Sequence, residues 1–151
     1  MVNKEKFEEL FLSFNESGKQ IWVIGTVKEL PLPIVNMALN LATLDFIKCI
    51  TISDDSLAAS SENYPKRPEV PITHMIHPTA IGVQILYNFA HKYIDFFDIN
   101  SPIKGYGSKM VAAIFKDFPN DMKATVVLDW SGGFWDEMKN KYDYIKWINQ
   151  N

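Results

Sequence analysis

YIDFFDIN (93–100), SPIKGYGS (101–108) and KMVAAIFKDF (109–118) follow one another in the stretch around which this chain is organised. The first segment alternates β-formers with acids, the period of a half-buried strand. In the last, Met110, Val111, Ile114, Phe115 and Phe118 recur close to i, i+3/i+4, i+7/i+8 and predict one face of a helix. Between them Gly105 and Gly107 flank Tyr106, and Ser108 stands where the helix N-terminus is expected. Glycine tolerates positive φ and lets a ligand come close to the backbone. The first amides of a helix have no internal acceptors, and the helix dipole favours negative charge beside them. Strand, glycine turn and helix therefore make a candidate seat for a phosphate or pyrophosphate group. Lys104 adds a mobile positive charge at its edge. A lone G-x-G after a strand is also often only a turn.

Toward the C-terminus, Pro119 and Asn120 stop the helix, and KATVVLDW (123–130) reads as a nearly continuous apolar strand, the kind buried on both faces. Ser131, Gly132 and Gly133 turn the chain into a short helix, FWDEMKNKY (134–142), and Tyr144–Ile148 reads as a last strand. Toward the N-terminus, IGVQILYNFA (81–90) is a strand, and His91-Lys92 makes a tight turn that pairs it with the Tyr93 strand as an antiparallel hairpin. From Ser53 to Pro78 periodicity dissolves among Ser, Asp, Asn and four prolines, with only EVPITHMI (69–76) as a short strand. A loop of that length is often functional and is the natural place for acceptor contacts. His74 and His77 within it form H-x-x-H, but no helix is evident and no Cys or carboxylate falls in a ligand pattern, so no metal is expected. Residues 34–48 predict a helix through Met37, Leu41, Leu44 and Ile47 or Lys48, although FIKCITI at its end reads equally as a strand. Leu30–Pro33 is a proline-broken connector, and QIWVIGTV (20–27) is the first strand. Residues 3–15 open on Asn3, an N-cap, and place Phe7, Leu10, Phe11 and Phe14 on one helical stripe, which reads as core packing.

A chain of 151 residues with 47% apolar content fits one domain, 1–151, with a core of its own. A formal charge of −3 argues against a general nucleic-acid binder. One cysteine, Cys49, allows no internal disulfide and points to a reducing compartment; in its apolar setting it reads as a small buried hydrophobe rather than a nucleophile. No apolar run reaches the ~20 residues that span a bilayer, and no basic region precedes an apolar signal core. A cytoplasmic, soluble protein is expected.

The segment PIKGYGSKMVAAIF resembles motif A of the GCN5-related N-acetyltransferases (GNAT), Q/R-x-x-G-x-G/A on a strand–loop–helix. Gly105 and Gly107 fall on the signature glycines, Lys104 stands where many members carry a basic residue, and Pro102 departs from the Q/R position. FWDEMKNKY resembles the later family phrase F-Y-E-K-x-G-F, with Phe134 on its Phe and Trp135 on its Tyr. The resemblance covers roughly residues 81–148; the N-terminal half matches only in element order. It implies an α+β fold with a mixed, mostly antiparallel central sheet flanked by helices. It also implies acetyl-CoA as cosubstrate. The amides of Ile103, Lys104, Gly105, Tyr106, Gly107 and Ser108 would cradle the pyrophosphate, Phe97, Asp98 and Ile99 would line the pantetheine arm on a strand that splays from its neighbour, and Phe134 would lie beside the cofactor.

The reaction so implied is attack of an amine on the thioester, with alignment of the reactants, polarisation of the carbonyl by a strand amide and removal of a proton from the amine. Asp95 within the strand and His91 at its start are the candidate bases, each with the plainer reading of a solvated or turn residue. The family Tyr is often the acid that protonates the leaving thiolate. An indole cannot do this, so the proton falls to Tyr142 or to solvent. The acceptor is a small amine or a peptide, and a homodimer is compatible with this reading. A non-catalytic acyl-CoA-binding or protein-interaction domain on the same scaffold is the alternative. A nucleotide-binding protein is a third, weakened by the absence of a Walker lysine and of a full G-x-G-x-x-G.

Overall fold

A computed structural model of the chain describes residues 1–24, 27–62, 80–127, 129 and 132–148. The expected strand at 69–76, with His74 and His77, lies outside the described residues. The N-terminal region comprises β1 (Val2–Asn3), α1 (Lys4–Leu10), α2 (Leu12–Glu16), β2 (Gln20–Val23), β3 (Glu29–Leu30) and α3 (Leu32–Ala42). Asn3 caps α1 as its sequence position predicts, its side chain accepting from the Lys6 N–H at 2.8 Å. The single helix expected over 3–15 is broken at Phe11, which leaves helical geometry at φ −99° and ψ 4°. Phe7 and Phe11 are buried as core residues, while Leu10 is exposed.

The second helix is displaced from the expected 34–48. It begins at Leu32 with Pro31 as N-cap, because proline is tolerated in a first turn, where the amide has no acceptor to lose. It ends at Ala42. The Lys19 ammonium donates to the carbonyls of Ala42 (2.7 Å) at the helix end and of Leu44 (3.1 Å) just past it, the latter also accepting from the Ile47 N–H (3.0 Å). Cys49–Ile52 is then a strand, β4, so the alternative reading of FIKCITI holds for its second half, and Cys49 is fully buried.

The remaining elements are β5 (Ser56–Ser60), β6 (Gly82–Asn88), β7 (Tyr93–Asn100), α4 (Tyr106–Phe115), β8 (Lys123–Val126), α5 (Phe134–Lys141) and β9 (Lys146–Trp147). β5 overturns the expectation of an irregular chain from Ser53 onward. Its sequence, SLAAS, has little β-propensity, but it is enclosed by β4 and β6, and Leu57 and Ala59 reach the core. Tertiary context overrides propensity here.

Seven of the described strands form one sheet in the order β2-β4-β5-β6-β7-β8-β9. Its centre (β4–β5, β5–β6, β6–β7) is antiparallel, and both flanks (β2–β4, β7–β8, β8–β9) are parallel. The connections fit this: short turns close β4–β5 and β6–β7, residues 61–81 join β5 to β6, and the parallel pairs are bridged by α3, α4 and α5. The fold is thus α+β with a mixed sheet and flanking helices. One sheet face carries Ile50, Ile52, Leu57, Ala59, Val83, Ile85, Ile94, Phe96 and Ala124 into the core shared with α3 and α4. Phe96 lies 4.7 Å from the Trp135 ring of α5 and 5.6 Å from Phe115 of α4, so the same face holds both C-terminal helices.

Candidate functional site

The strand that leads to the glycine turn outruns its neighbour. β8 is in register with Tyr93–Phe96 of β7 only, and the Val127 N–H to the Phe96 carbonyl (3.1 Å) closes that ladder. β7 continues to Asn100 alongside β6, beyond the end of the described β7–β8 ladder at Phe96. Just past that point β7 carries an extra residue. Ile85 pairs with Phe96 and Gln84 with Asp98, which leaves Phe97 as a bulge, its side chain 46% exposed. A bulge of this kind re-aims side chains and loosens pairing where the sheet needs to open.

From Asn100 the chain passes Ile103 and Lys104, both exposed, to Gly105. Gly105 is the N-cap of α4 at φ 96°, a conformation that costs an L side chain about 1 kcal/mol or more. A Cβ built there would meet nothing within 4 Å. The helix starts at Tyr106, not at Ser108, so the amides of Tyr106, Gly107 and Ser108 are those of its first turn, and no side chain caps them among the described residues. Tyr106 is held from the far side by stacking on Phe46 at 4.6 Å, with the Lys109 ammonium 5.0 Å from its ring. Phe46 was not picked out from the sequence, since it lies in an irregular turn sixty residues before its partner.

Gly107 departs from expectation. It is helical and buried, and a Cβ there would meet the Phe134 ring at 3.1 and 3.2 Å and Ile99 Cδ1 at 3.8 Å. Its small size therefore serves the close packing of the α5 start and the β7 end against the α4 start. Gly105 alone supplies the left-handed turn. Phe134 is brought to the mouth of this site, beside Gly107.

Asp95 lies on the face of β7 turned away from Ile94 and Phe96. Its registered neighbours are Leu86 on β6 and Thr125 on β8. Its Oδ1 is buried with no hydrogen-bond partner among the described residues, while the residue as a whole keeps part of its surface. Burial pushes its carboxyl above the ordinary carboxylate range. Thr125, 1% exposed, likewise has an Oγ1 without a partner among the described residues. Thr125 is not singled out by the sequence, where KATVVLDW reads as a nearly continuous apolar strand; a hydroxyl inside such a run is the available signal.

The other two candidate catalytic residues lie elsewhere. His91 is exposed in the β6–β7 turn, where its N–H donates to Asn88 Oδ1 at 3.0 Å. That is about 20 Å along the strand from Phe97. Tyr142 is buried at the C-terminal end of α5, its ring 5.0 Å from Phe115. Phe115 closes α4, about 14 Å from that helix's first turn. Burial and then Tyr144 push the Tyr142 phenol upward, away from acid duty. Trp135 is buried against Phe96. The structure thus places Phe97, Asp98, Ile99, Ile103, Lys104, Gly105, Tyr106, Gly107 and Ser108 along the run from β7 into α4, with Phe134 beside Gly107, puts Asp95 on the opposite sheet face just before the bulge, and leaves His91 and Tyr142 farther off.

Comparison with protein-family models, with curated proteins and with solved structures finds no match to this chain. No described helix is long and apolar enough to cross a membrane, and no described group of three His, Cys, Asp or Glu is disposed to hold a metal ion.

Proposed function

We propose that this protein is an acetyl-CoA-dependent N-acetyltransferase built on a GNAT-like scaffold. The observation that carries the reading is that β7 runs on past the end of its described ladder with β8, through a bulge and a glycine turn, to an uncapped helix N-terminus. A strand edge opened in this way can accept an extended ligand as an added strand, and the first turn of α4 offers amides to a phosphate group at its end. The pantetheine arm of CoA and its pyrophosphate have that succession of shapes. Bound acetyl-CoA supplies an acyl group activated as a thioester.

The protein's own part is then alignment and proton transfer. Phe97 and Ile99 flank the arm, and Lys104 offsets phosphate charge. Asp95, two residues before the bulge and raised in pKa by burial, takes the proton of the incoming amine. The new C–N bond forms as the C–S bond breaks. The thiolate takes its proton from solvent, because Tyr142 is packed in the core and the Trp135 indole is no acid at neutral pH.

Thermal denaturation with and without CoA and acetyl-CoA tests this reading. A ligand at 100 times its Kd adds about 2.7 kcal/mol, which moves the midpoint of a domain of this size by several degrees. Saturating CoA that leaves the melting curve unmoved refutes the reading. The core position of Tyr142 and the indole of Trp135 where the family phrase has Tyr favour a second reading, a non-catalytic acyl-CoA-binding or interaction domain. A protein that is stabilised by acetyl-CoA yet releases no thiol with a broad amine panel would be of that kind.

A further inference from the structure

α4 carries two helical stripes. Met110, Val111, Ile114 and Phe115 are buried in the core. Lys109, Ala112, Ala113 and Lys116, also spaced i, i+3, i+4, i+7, line an open groove of about 440 Å³ whose other wall is Asn40, Thr43 and Leu44 at the end of α3. The two lysines stand about 10.5 Å apart along the helix. Both are exposed, and neither is in an ion pair among the described residues. Lys109 lies over the Tyr106 ring at 5.0 Å, which leaves its charge unneutralised. Asp117, next in sequence, accepts from Asn40 Nδ2 at 2.9 Å. A groove with a small-residue floor and a lysine at each end fits a helical segment that carries an apolar side chain between acids.

The chain bears that complement on its own N-terminal helices. Leu12, the first residue of α2, is 58% exposed, and Leu10, the last of α1, is 38% exposed. Glu9 and Glu16 flank Leu12 and are seven residues apart, as Lys109 and Lys116 are. From Glu5 to Glu16 four glutamates stand against one lysine, Lys6, which lies 3.7 Å from Glu9. Adjacent apolar side chains rimmed by charge are the usual make-up of a docking surface. The two surfaces are also neighbours. Lys19, three residues past Glu16, donates to the carbonyl of Leu44 in the groove wall at 3.1 Å and to that of Ala42 at 2.7 Å.

We infer that a second copy of this chain docks here, Leu10 and Leu12 of each protomer meeting the α3–α4 groove of the other, with Glu9 and Glu16 against its two lysines. Because groove and acidic face adjoin, one two-fold axis can serve both contacts and close the pair. The inference is independent of the acyltransfer reading. Opposite charges at the rim then set the register and the salt dependence of the dimer.

Sedimentation equilibrium of the full chain across protein concentration tests this. The mass should rise toward twice the monomer value, and association should weaken about tenfold between about 0.1 M and about 1 M salt, where exposed charge pairs are screened. Lys109→Glu with Lys116→Glu should give a monomer, and so should Glu9→Lys with Glu16→Lys. An equimolar mixture of the two double variants should pair again, because each offers the charges that the other now requires. All four side chains are exposed, so the variants keep the fold, which their melting curves check. A wild-type chain that stays monomeric at every concentration, a dimer indifferent to both charge reversals, or folded variants that fail to pair when mixed would each overturn the inference.

Discussion

The two halves of β7 belong to one strand and obey different rules. Tyr93–Phe96 is laddered on both sides, to β6 and to β8, and buries Ile94 and Phe96, the latter against three aromatic rings. Phe97–Asn100 begins with a bulge, exposes Phe97 and continues past the end of the β8 ladder into a turn that only glycine adopts at low cost. A side chain in the first half is fixed by close packing, and its loss is felt throughout the domain. In the second half, which pairs with β6 but lies past the described β8 ladder, Phe97 is exposed, and a change there should be felt by a ligand. Asp95 sits near the boundary, a carboxylate of the laddered half two residues before the bulge.

The largest effect that can break this contrast is expected at the boundary. Asp95→Asn should lower turnover about 10²–10⁴-fold if Asp95 is the base, and should at the same time make the protein more stable at neutral pH. The sign follows from its raised carboxyl. The folded state holds the Asp95 proton more tightly than the unfolded chain, so stability falls as pH rises from the unfolded value through the folded one, and stays reduced above it. Asparagine removes that cost. Melting curves of the two proteins should therefore converge at acid pH and separate at neutral pH. Coincident curves at every pH would show that Asp95 is an ordinary solvated residue.

Next in size is Phe96→Ala against Phe97→Ala. Phe96 is 2% exposed, and its truncation should cost about 3–5 kcal/mol by denaturant unfolding, whereas Phe97→Ala should stay within about 1 kcal/mol and weaken CoA binding instead. Equal destabilisation by both would erase the distinction between the halves.

The two glycines give a smaller and sharper comparison. Gly107→Val drives branched methyls into the Phe134 ring and should cost about 1–3 kcal/mol from overpacking. Gly105→Ala meets open space and should cost only about 1 kcal/mol, from holding an L residue at positive φ. A larger cost at Gly105 than at Gly107 would reverse the roles assigned to them.

Most of this contrast was legible in the sequence, and the reasons it was not wholly so are physical. The strand, turn and helix of 93–118 were readable because each obeys its own period, and the β6–β7 hairpin because its turn is short. Motif position alone could not divide labour between Gly105 and Gly107, since that depends on Phe134, which arrives from the next helix. β5 was missed because SLAAS owes its conformation to the strands on either side of it. The start of α3 was missed because proline was read only as a breaker, when in a first turn it breaks nothing. His91 and Tyr142 were chosen for their chemistry at the right distance in sequence, but an extended strand carries His91 far from the opening, and an aromatic core claims Tyr142.

The antiparallel centre and parallel flanks of the sheet also set an order of assembly. β6 and β7 are joined by a turn of a few residues, so their pairing closes a short loop and loses little chain entropy. β8 can pair with β7 only after α4 has crossed over, and β9 can join only after β8 and α5. The hairpin should therefore form first and the C-terminal flank last. In pulse-labelling hydrogen exchange, the amides shared by β6 and β7 would gain protection ahead of Lys123–Val126. The edge on which the proposed ligand lies would then be complete only in the closing step of folding, so a nascent chain would carry its glycine turn well before it had the second strand needed to frame it.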